Sequence, residues 1–322
     1  MTAATNVQTA NSAQDWRQVI DQWKQAIAHL KSITPEEERY VEAQTKIEEY
    51  TTYLAYAEAN LRQTREGVSL KKTITGGLSP KSVVYSGNGL FFAQNMMYSH
   101  TIGIYNTEYQ LIRTLDDQVN LADYGYSNYQ GSYRGAPVEA TFSHDGKWAW
   151  VSNYQMYGVG FNRPGDDVCS PSNNYDHSYV YRINTDTFAI EKVIQVGAVP
   201  KFLAASPDDR YVLVSNWCSY DLSVIETASD REIQRIPLGA YPRGIVVDPS
   251  SQVVYVAIMG SQDLAKVSLN DFSVEYIQGV GNAPRHVVID PVEGRYLYVT
   301  LNGDSQVGRC CMKEGLRAGE AW

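Results

Sequence analysis

Short blocks of apolar residues, separated by groups of turn-forming residues, dominate the chain from about residue 68 to residue 307. In one part of this region the blocks are Leu203–Ala205, Tyr211–Val214, Leu222–Ile225 and Ile233–Ile236. The groups between them, such as Pro207–Asp209, contain the Asp, Ser and Pro residues that turns favour. Blocks of this length without helical periodicity predict β-strands.

A common pattern recurs in this region at a fixed spacing. Each of three copies opens with Gly-x-x-Pro and a basic residue, and reaches Ser-Pro or Asp-Pro six residues after the first proline. The opening prolines, Pro200, Pro242 and Pro284, are 42 residues apart, and two longer copies open at Pro80 and Pro137. Four short strands in a repeat of this length predict a β-propeller of four-stranded blades, with a β-sandwich or a β-solenoid as alternatives. We therefore predict a mainly β chain with about five blades, the last of them incomplete.

The repeat also carries a resemblance to a known family. The Gly-x-x-Pro openings, the segment Ser-Pro-Asp-Asp-Arg-Tyr-Val-Leu-Val-Ser-Asn at 206–216 and the segment Tyr298–Leu301 resemble the bacterial YVTN-type β-propeller repeat family. The resemblance covers roughly Val68 to Val307. It implies the propeller fold and does not identify an activity.

A helical period precedes the propeller region. Apolar residues between Trp16 and Leu30 fall on one helix face, and those between Tyr40 and Leu61 recur at alternating steps of three and four. The pattern predicts an antiparallel helical hairpin whose second helix begins with a capping box at Thr34–Glu37. The sequence pattern around Ala43–Tyr50 resembles TPR-like helical hairpins of bacteria, but one hairpin is too short for a peptide-binding solenoid. We expect a spacer or self-association module, with a specific docking site as the alternative.

These patterns divide the chain into four parts: a disordered leader at 1–13, the hairpin at 14–66, the propeller at 68–307 and an anomalous tail at 308–322. Val68–Ile74 reads as a lone strand, which we expect to complete the final blade and close the ring. In the tail, apolar and polar residues no longer alternate as they do in the strands. Because members of the resembled family usually have six or seven blades, we expect a truncated or frame-shifted ending, or else a genuine tail that caps a small ring.

Two insertions lengthen the first two blades, where the opening prolines are 57 and 63 residues apart. Asp116–Arg134 lies between two blades and Gln155–His177 lies between the second and third strands of one blade. In an up-and-down blade both connections emerge on the same face of the disc. Long aromatic loops there suit recognition, although they can equally pack over the channel mouth. The tyrosines of the first insertion are the candidates: Tyr124, Tyr126, Tyr129 and Tyr133.

Basic residues follow four of the five blade-opening prolines. They are Lys81, Lys201, Arg243 and Arg285. A propeller gathers these positions around the mouth of its channel, where a ring of cations suits an anion such as a carboxylate or phosphate. The alternative is that each forms an ion pair with the adjoining blade. Residues at the ends of second strands border the same face and are further binding candidates: Asn153, Tyr154, Asn216 and Trp217.

Two cysteines occupy equivalent loops of neighbouring blades. Cys169 lies in the second insertion and Cys218 in the matching loop of the next blade. We predict a disulfide between them, which would stabilise the fold by roughly 3–4 kcal/mol and would imply an oxidising compartment. No metal site is expected, because the nearby Asp166, Asp167, Asp176 and His177 lack a recognisable ligand spacing.

Charge and motif content narrow the possible functions. The net charge of −9 argues against a nucleic-acid partner, and no apolar run is long enough for a membrane helix. No signal peptide is visible, so we expect a cytoplasmic protein, or a periplasmic or extracellular one if a signal segment precedes this sequence. No Ser-His-Asp order, phosphate loop or carboxylate pair stands out, and no cofactor is expected.

The most economical prediction is a non-catalytic propeller that binds a protein, a polymer or a small anionic ligand through the face that carries both insertions. The alternative is a propeller enzyme, either a lactonase-like hydrolase or a quinoprotein-type redox subunit, with its site at the channel mouth. An enzyme would show converging His, Asp or Glu residues there. A third possibility, a structural surface protein, would show exposed aromatic loops without a pocket.

Overall fold

The computed structural model describes residues 6–7, 10, 12–63, 70–291 and 294–311 of the chain. The chain divides into two compact units, Met1–Thr73 and Ile74–Trp322. The first unit is helical and the second is built from β-sheets.

The helical unit is an antiparallel hairpin. It consists of α1 (Ala13–Lys31) and α2 (Tyr40–Gln63). Near the start of α1, Trp16 packs edge-on against Tyr56 of α2. Further along α1, Trp23 contacts Tyr50, with 4.8 Å between ring centroids. Since later residues of α1 contact earlier residues of α2, the two helices run in opposite directions, as predicted.

The helix ends differ from the sequence prediction. The capping box lies at the start of α1, where the Ser12 hydroxyl accepts from the Asp15 backbone N–H and the Asp15 carboxylate accepts from the Ser12 N–H. At the predicted site, Thr34 N–H donates to the Glu37 carboxylate at 2.7 Å, and the Glu37 backbone N–H donates to the Thr34 carbonyl at 3.0 Å. Residues 34–39 therefore form turns, and α2 begins only at Tyr40.

The leader is also more ordered than predicted at the positions that the structure describes. Asn6 and Val7 are helical, and the Asn6 side-chain amide donates to Gln22 at 3.0 Å. Val7 packs against the cluster that contains Trp16 and Val19. An apolar partner on α1 thus holds this segment, so the expectation of disorder is wrong there.

The β unit consists of consecutive antiparallel sheets whose strand order follows the chain. Blade 1 contains β1 (Ser82–Tyr85), β2 (Phe91–Asn95), β3 (Thr101–Tyr105) and β4 (Leu111–Asp116). A two-stranded ribbon follows, formed by β5 (Gln118–Val119) and β6 (Tyr133–Arg134). Blade 2 contains β7 (Pro137–Phe142), β8 (Trp148–Asn153), β9 (Tyr179–Asn184) and β10 (Ile190–Gln195).

The regular 42-residue units form the next three blades. Blade 3 contains β11 (Pro200–Ala205), β12 (Tyr211–Asn216), β13 (Asp221–Glu226) and β14 (Arg231–Pro237). Blade 4 contains β15 (Pro242–Val247), β16 (Val253–Ile258), β17 (Asp263–Ser268) and β18 (Val274–Ile277). Blade 5 shows three strands among the described residues, β19 (Pro284–Ile289), β20 (Tyr296–Leu301) and β21 (Gln306–Cys311).

The blades are arranged radially. The first strand of each blade lies against the first strand of the next, from β1 through β7, β11 and β15 to β19. Burial agrees with this order: every residue of β12 in blade 3 is buried, whereas exposed and buried positions alternate along much of β20 in blade 5. A blade with a neighbour on each side buries both faces, and a terminal blade buries one. The predicted mainly β propeller of four-stranded blades is therefore confirmed, and the described residues of the fifth blade form three of its strands.

Two predictions about the ends of the propeller fail. Residues 70–74 of the expected closing strand Val68–Ile74 are irregular and exposed, with Leu70 83% exposed, and Val68 and Ser69 lie outside the described residues. At the other end, residues 308–311 were expected to belong to an irregular tail, but they form part of β21. Gly308 pairs with Val299 of β20, and the buried Cys310 pairs with Leu297. The rest of the tail, 312–322, lies outside the described residues.

Candidate functional site

A β-bulge at the start of the inner strand directs the blade-opening residues in blades 2 to 5. The register between first and second strands shifts between Pro200 and Phe202 in blade 3 and between Pro284 and His286 in blade 5. The basic residue after the proline is thus the extra, unpaired residue of the bulge, a position that re-aims a side chain. A backbone hydrogen bond stabilises the turn before the proline. In blade 3 the backbone of Val199 has φ 56°, and its carbonyl accepts a hydrogen bond from Trp217 N–H at 2.9 Å.

The predicted basic residues lie within electrostatic reach of one another. Arg243 and Lys81 both help to lower the pKa of Lys201, and Arg285 helps to lower the pKa of Arg243. Blades 1, 3, 4 and 5 thus contribute cations to one end of the propeller. In blade 2 the corresponding residue is the buried Val138.

Lys201 differs from the other three cations because its side chain is only 5% exposed. Its Nζ lies 3.2 Å from Asp167 Oδ1, and it lies over the rings of Tyr154 and Trp217 at 4.5 Å and 5.1 Å from their centroids. Burial lowers the pKa of Lys201 to about 8, although Asp167 acts in the opposite direction. Lys201 thus realises the ion-pair alternative, since its partner belongs to the insertion of the preceding blade.

The remaining cations are available for a ligand. Arg243 is partly buried but forms no ion pair with any described residue, and burial is the main cause that lowers its pKa. Arg285 is exposed, and its guanidinium donates only to the neutral side chain of Asn302 at 3.4 Å. Lys81 is exposed as well. Glu139 and Asp167 act on Arg243 from a distance and partly oppose the lowering of its pKa, but neither forms an ion pair with it. A partly buried guanidinium without a direct ion-pair partner is suited to bind an anion.

The residue after the blade-opening position differs in chemical type from one inner strand to the next. Burial raises the pKa of Glu139, while Ser82 and Arg243 partly oppose it. Partial removal from water and the neighbouring Arg243 and Arg285 lower the pKa of His286. Phe202 of blade 3 contacts His286 of blade 5, with 5.2 Å between ring centroids.

A glycine in blade 4 makes this contact across one blade possible. At Gly244, an added Cβ would lie 2.7 Å from His286 Cα and 2.8 Å from the Arg285 carbonyl oxygen. The inner strands of blades 4 and 5 therefore approach backbone to backbone. No side chain at this position separates Phe202 from His286.

The residues at the ends of the second strands have mainly structural contacts. Asn216 is fully buried, and its amide donates to Asp221 and Ser223 at 2.6 Å and 2.8 Å. Asn153 is also buried and donates to the Tyr179 carbonyl at 3.3 Å. Tyr154 and Trp217 border Lys201, and burial and two aspartates raise the pKa of Tyr154 to about 12.

The two insertions contact each other, as expected for loops on one face. Arg134 and Tyr157 form a β-bridge between them, and Tyr129 stacks on Phe161 with 5.0 Å between centroids. The predicted loop tyrosines mostly face inward: Tyr133 is buried, Tyr124 donates to the Ile190 carbonyl at 3.0 Å and Tyr126 donates to that of Val193 at 3.2 Å. These contacts are those of a cover packed on blade 2.

The predicted pairing of Cys169 with Cys218 is present as a disulfide, with 5.4 Å between the Cα atoms. Further bonds hold the same segment on blades 3 and 4. Trp217 Nε1 donates to the Asp167 carbonyl at 3.1 Å, and the Tyr241 hydroxyl donates to the Cys169 carbonyl at 3.0 Å. The disulfide therefore brings Asp167 to Lys201.

Asp167 and Glu139 are site residues that sequence reasoning missed. A signal existed for Asp167, because it lies two residues before Cys169, and the cysteine pair was predicted to draw that segment onto the next blade. Glu139 carried no such signal. Among the described residues, no group of three His, Cys, Asp or Glu side chains is arranged to hold a metal ion. None of the described helices is long and apolar enough to cross a membrane.

Comparison with known proteins shows the fold and leaves the family open. No protein-family model matches the chain, and no curated protein matches it. Among solved structures, a proposed 6-phosphogluconolactonase from Bacteroides uniformis is 15% identical over 76% of this chain and 68% of its own, with a TM-score of 0.51. A second one from Bacteroides fragilis is 14% identical over 76% of this chain and 72% of its own, also with a TM-score of 0.51. Hydrazine synthase from Kuenenia stuttgartiensis is 14% identical over 76% of this chain and 80% of its own, with a TM-score of 0.42.

Proposed function

We propose that the chain is a binding propeller that recognises a small anionic ligand at the channel mouth through Arg243, Arg285 and Lys81. We also propose that it belongs to the YVTN-type repeat family, on the strength of the repeat wording. The ligand's carboxylate or phosphate accepts hydrogen bonds from the Arg243 guanidinium, and the exposed cations on the two sides attract it.

The observation that carries this proposal is the state of Arg243. Removing a guanidinium from water is costly unless an anion compensates it. Glu139 and Asp167 offset part of that cost for Arg243, but neither forms an ion pair with it, whereas Lys201 has Asp167 at 3.2 Å. In a protein with a net charge of −9, a cluster of cations drawn from separate blades also creates a local field of opposite sign. Such a field favours anions at this one place.

Calorimetric titration with inorganic phosphate and with L-lactate tests the proposal. We expect the unmodified protein to bind at least one of the two anions. The variant Arg243→Gln should bind it about tenfold more weakly or worse, because charge-assisted hydrogen bonds contribute about 1.5–3 kcal/mol.

The matched control is Arg231→Gln, which removes an exposed arginine from the outermost strand of blade 3. Its affinity should equal that of the unmodified protein. Equal affinities of all three proteins would contradict the proposed site. Failure of the unmodified protein to bind either anion would contradict the proposed function.

A lactonase-like hydrolase is the second candidate, and Glu139 is the observation that favours it. A partly buried carboxyl group with a raised pKa, next to Arg243, has the character of a general acid or base. Turnover of 6-phosphogluconolactone above the spontaneous rate, lost in Glu139→Gln, would favour the hydrolase. Binding without turnover would favour the non-catalytic propeller.

A further inference from the structure

The amine of Lys201 lies in surroundings that are unusual for a lysine side chain. Aromatic rings of Tyr154 and Trp217 cover it on two sides, and its side chain is 5% exposed. Its hydrogen-bonding partner, Asp167, has a side chain that is 83% exposed. The amine is thus enclosed by the fold on most sides and closed off from solvent by one exposed carboxylate.

These surroundings make the uncharged amine easier to reach than in an ordinary lysine. Removal from water and the nearby cations Arg243 and Lys81 lower the pKa of Lys201 to about 8. At pH 8 about half of the molecules then carry a neutral amine, whereas an ordinary lysine remains almost wholly protonated. Neutral lysine amines, desolvated and next to other cations, are the nucleophiles of proteins that react with carbonyl compounds.

We propose that Lys201 forms an imine with the carbonyl carbon of a small α-oxo acid whose carboxylate is held by Arg243. The inference rests on the anion-binding function proposed above and names the ligand class for the same mouth. The ligand needs an anionic group for Arg243 and a carbonyl group for Lys201. An α-oxo acid carries both on adjacent carbon atoms.

The reaction is a condensation without oxidation or reduction. The ammonium first releases a proton to solvent, and the free Nζ bonds to the carbonyl carbon to give a carbinolamine. The two remaining hydrogens of the amine leave with the former carbonyl oxygen as water, and a C=N bond remains. Access requires the Asp167 side chain to turn away from Nζ.

The experiment uses pyruvate as the probe, with sodium cyanoborohydride to trap the imine as a stable secondary amine. After digestion, mass spectrometry locates the adducts. We expect Lys201 to be modified about tenfold or more in preference to Lys81, because a pKa of about 8 gives a far larger neutral fraction near neutral pH than an ordinary lysine has. The yield at Lys201 should rise with pH and level off above about pH 8.

Two variants sharpen the result. Lys201→Met keeps the apolar stem and should lose the adduct without shifting it to another lysine. Asp167→Asn removes the carboxylate that pairs with Nζ and should speed trapping at Lys201 while leaving the trapping rate at Lys81 unchanged. The comparison of Lys201 with Lys81 in the unmodified protein remains decisive even if a variant fails to fold.

Parallel titration with L-lactate, which has no carbonyl group, separates the two proposals. Lactate and pyruvate binding without a trapped adduct, or adducts spread evenly over surface lysines, would overturn the imine and leave the anion site intact. Absence of binding of both acids would overturn the inference, and absence of phosphate binding as well would overturn the anion site. A pyruvate adduct confined to Lys201 supports the inference.

Discussion

Asp117 is a buried carboxyl group whose ionisation should make the propeller less stable as the pH rises. It lies between β4 and β5 at the root of the first insertion, and its side chain is fully buried. Neither of its oxygens accepts a hydrogen bond, and its nearest cation is Arg134, with Nε 3.5 Å from Oδ1. Burial raises the pKa of Asp117 to about 7; Arg134 opposes the shift and Asp116 adds to it.

The magnitude follows from proton linkage. The folded protein holds a proton on Asp117 up to about pH 7, whereas the unfolded chain releases it near pH 3.8. Between these values folding takes up a proton, so the free energy of unfolding falls as the pH rises. At about 1.4 kcal/mol per pKa unit, the loss from this group is about 1.5 kcal/mol by pH 5 and about 4 kcal/mol by pH 8.

The variant Asp117→Asn removes the titration and keeps the shape of the side chain. Urea unfolding, followed by circular dichroism at pH 5 and pH 8, should show the variant more stable than the unmodified protein. The gain should be about 1.5 kcal/mol at pH 5 and about 4 kcal/mol at pH 8. Asp116→Asn is the control, because the Asp116 side chain is 62% exposed, and we expect no comparable gain.

A destabilised Asp117→Asn protein at pH 8 would refute this reasoning. So would an equal effect at the two pH values. Either result would mean that Arg134 and the surrounding polar groups stabilise the ionised carboxylate more than burial penalises it.

Three further predictions concern the packing of the fold. Replacing Cys169 and Cys218 together by Ser should lower the free energy of unfolding by about 4 kcal/mol, given a sequence separation of 49. Urea unfolding with and without dithiothreitol checks this, and the reductant should not destabilise the double variant further. A urea midpoint equal to that of the unmodified protein would contradict the prediction. Gly244→Ala should destabilise the propeller by about 1–3 kcal/mol, because the added methyl group meets the backbone of blade 5. An unchanged free energy of unfolding in urea would mean that blades 4 and 5 are not in close contact there. Trp23→Ala should lower the stability of the hairpin by about 3–5 kcal/mol, since Trp23 is buried against Tyr50 and Tyr53. The measurement is the helical circular dichroism signal, which should decrease. Full retention of that signal would contradict the packing of Trp23 on α2.

Local repetition explains why much of the fold was predictable from sequence. The spacing of Pro200, Pro242 and Pro284 reflects one strand–turn unit used repeatedly, and each unit carries its own turn residues. The cysteine pair was predictable for the same reason, because equivalent loops of adjacent blades meet. The hairpin followed from the apolar face that begins at Trp16.

Contacts that depend on a partner far along the chain were not predictable. Val68–Ile74 has the alternation of a strand, but a strand also needs an available edge, and residues 70–74 pair with none. Residues 34–39 form turns before α2 begins at Tyr40, and the apolar period alone did not mark that boundary. The pairing of Lys201 with Asp167 depends on the path of an insertion that no periodic pattern describes.

The radial arrangement of the blades underlies the shared mouth, the cation cluster and the proposed chemistry. It is tested most directly by a nuclear Overhauser measurement between the rings of Phe202 and His286 in selectively labelled protein. Blade 4 lies between these residues in sequence, and their centroids are 5.2 Å apart only because successive inner strands converge on one axis. We predict a clear cross-peak between the two rings. Its absence in the folded protein would contradict a convergent mouth and, with it, a binding site that residues of several blades form together.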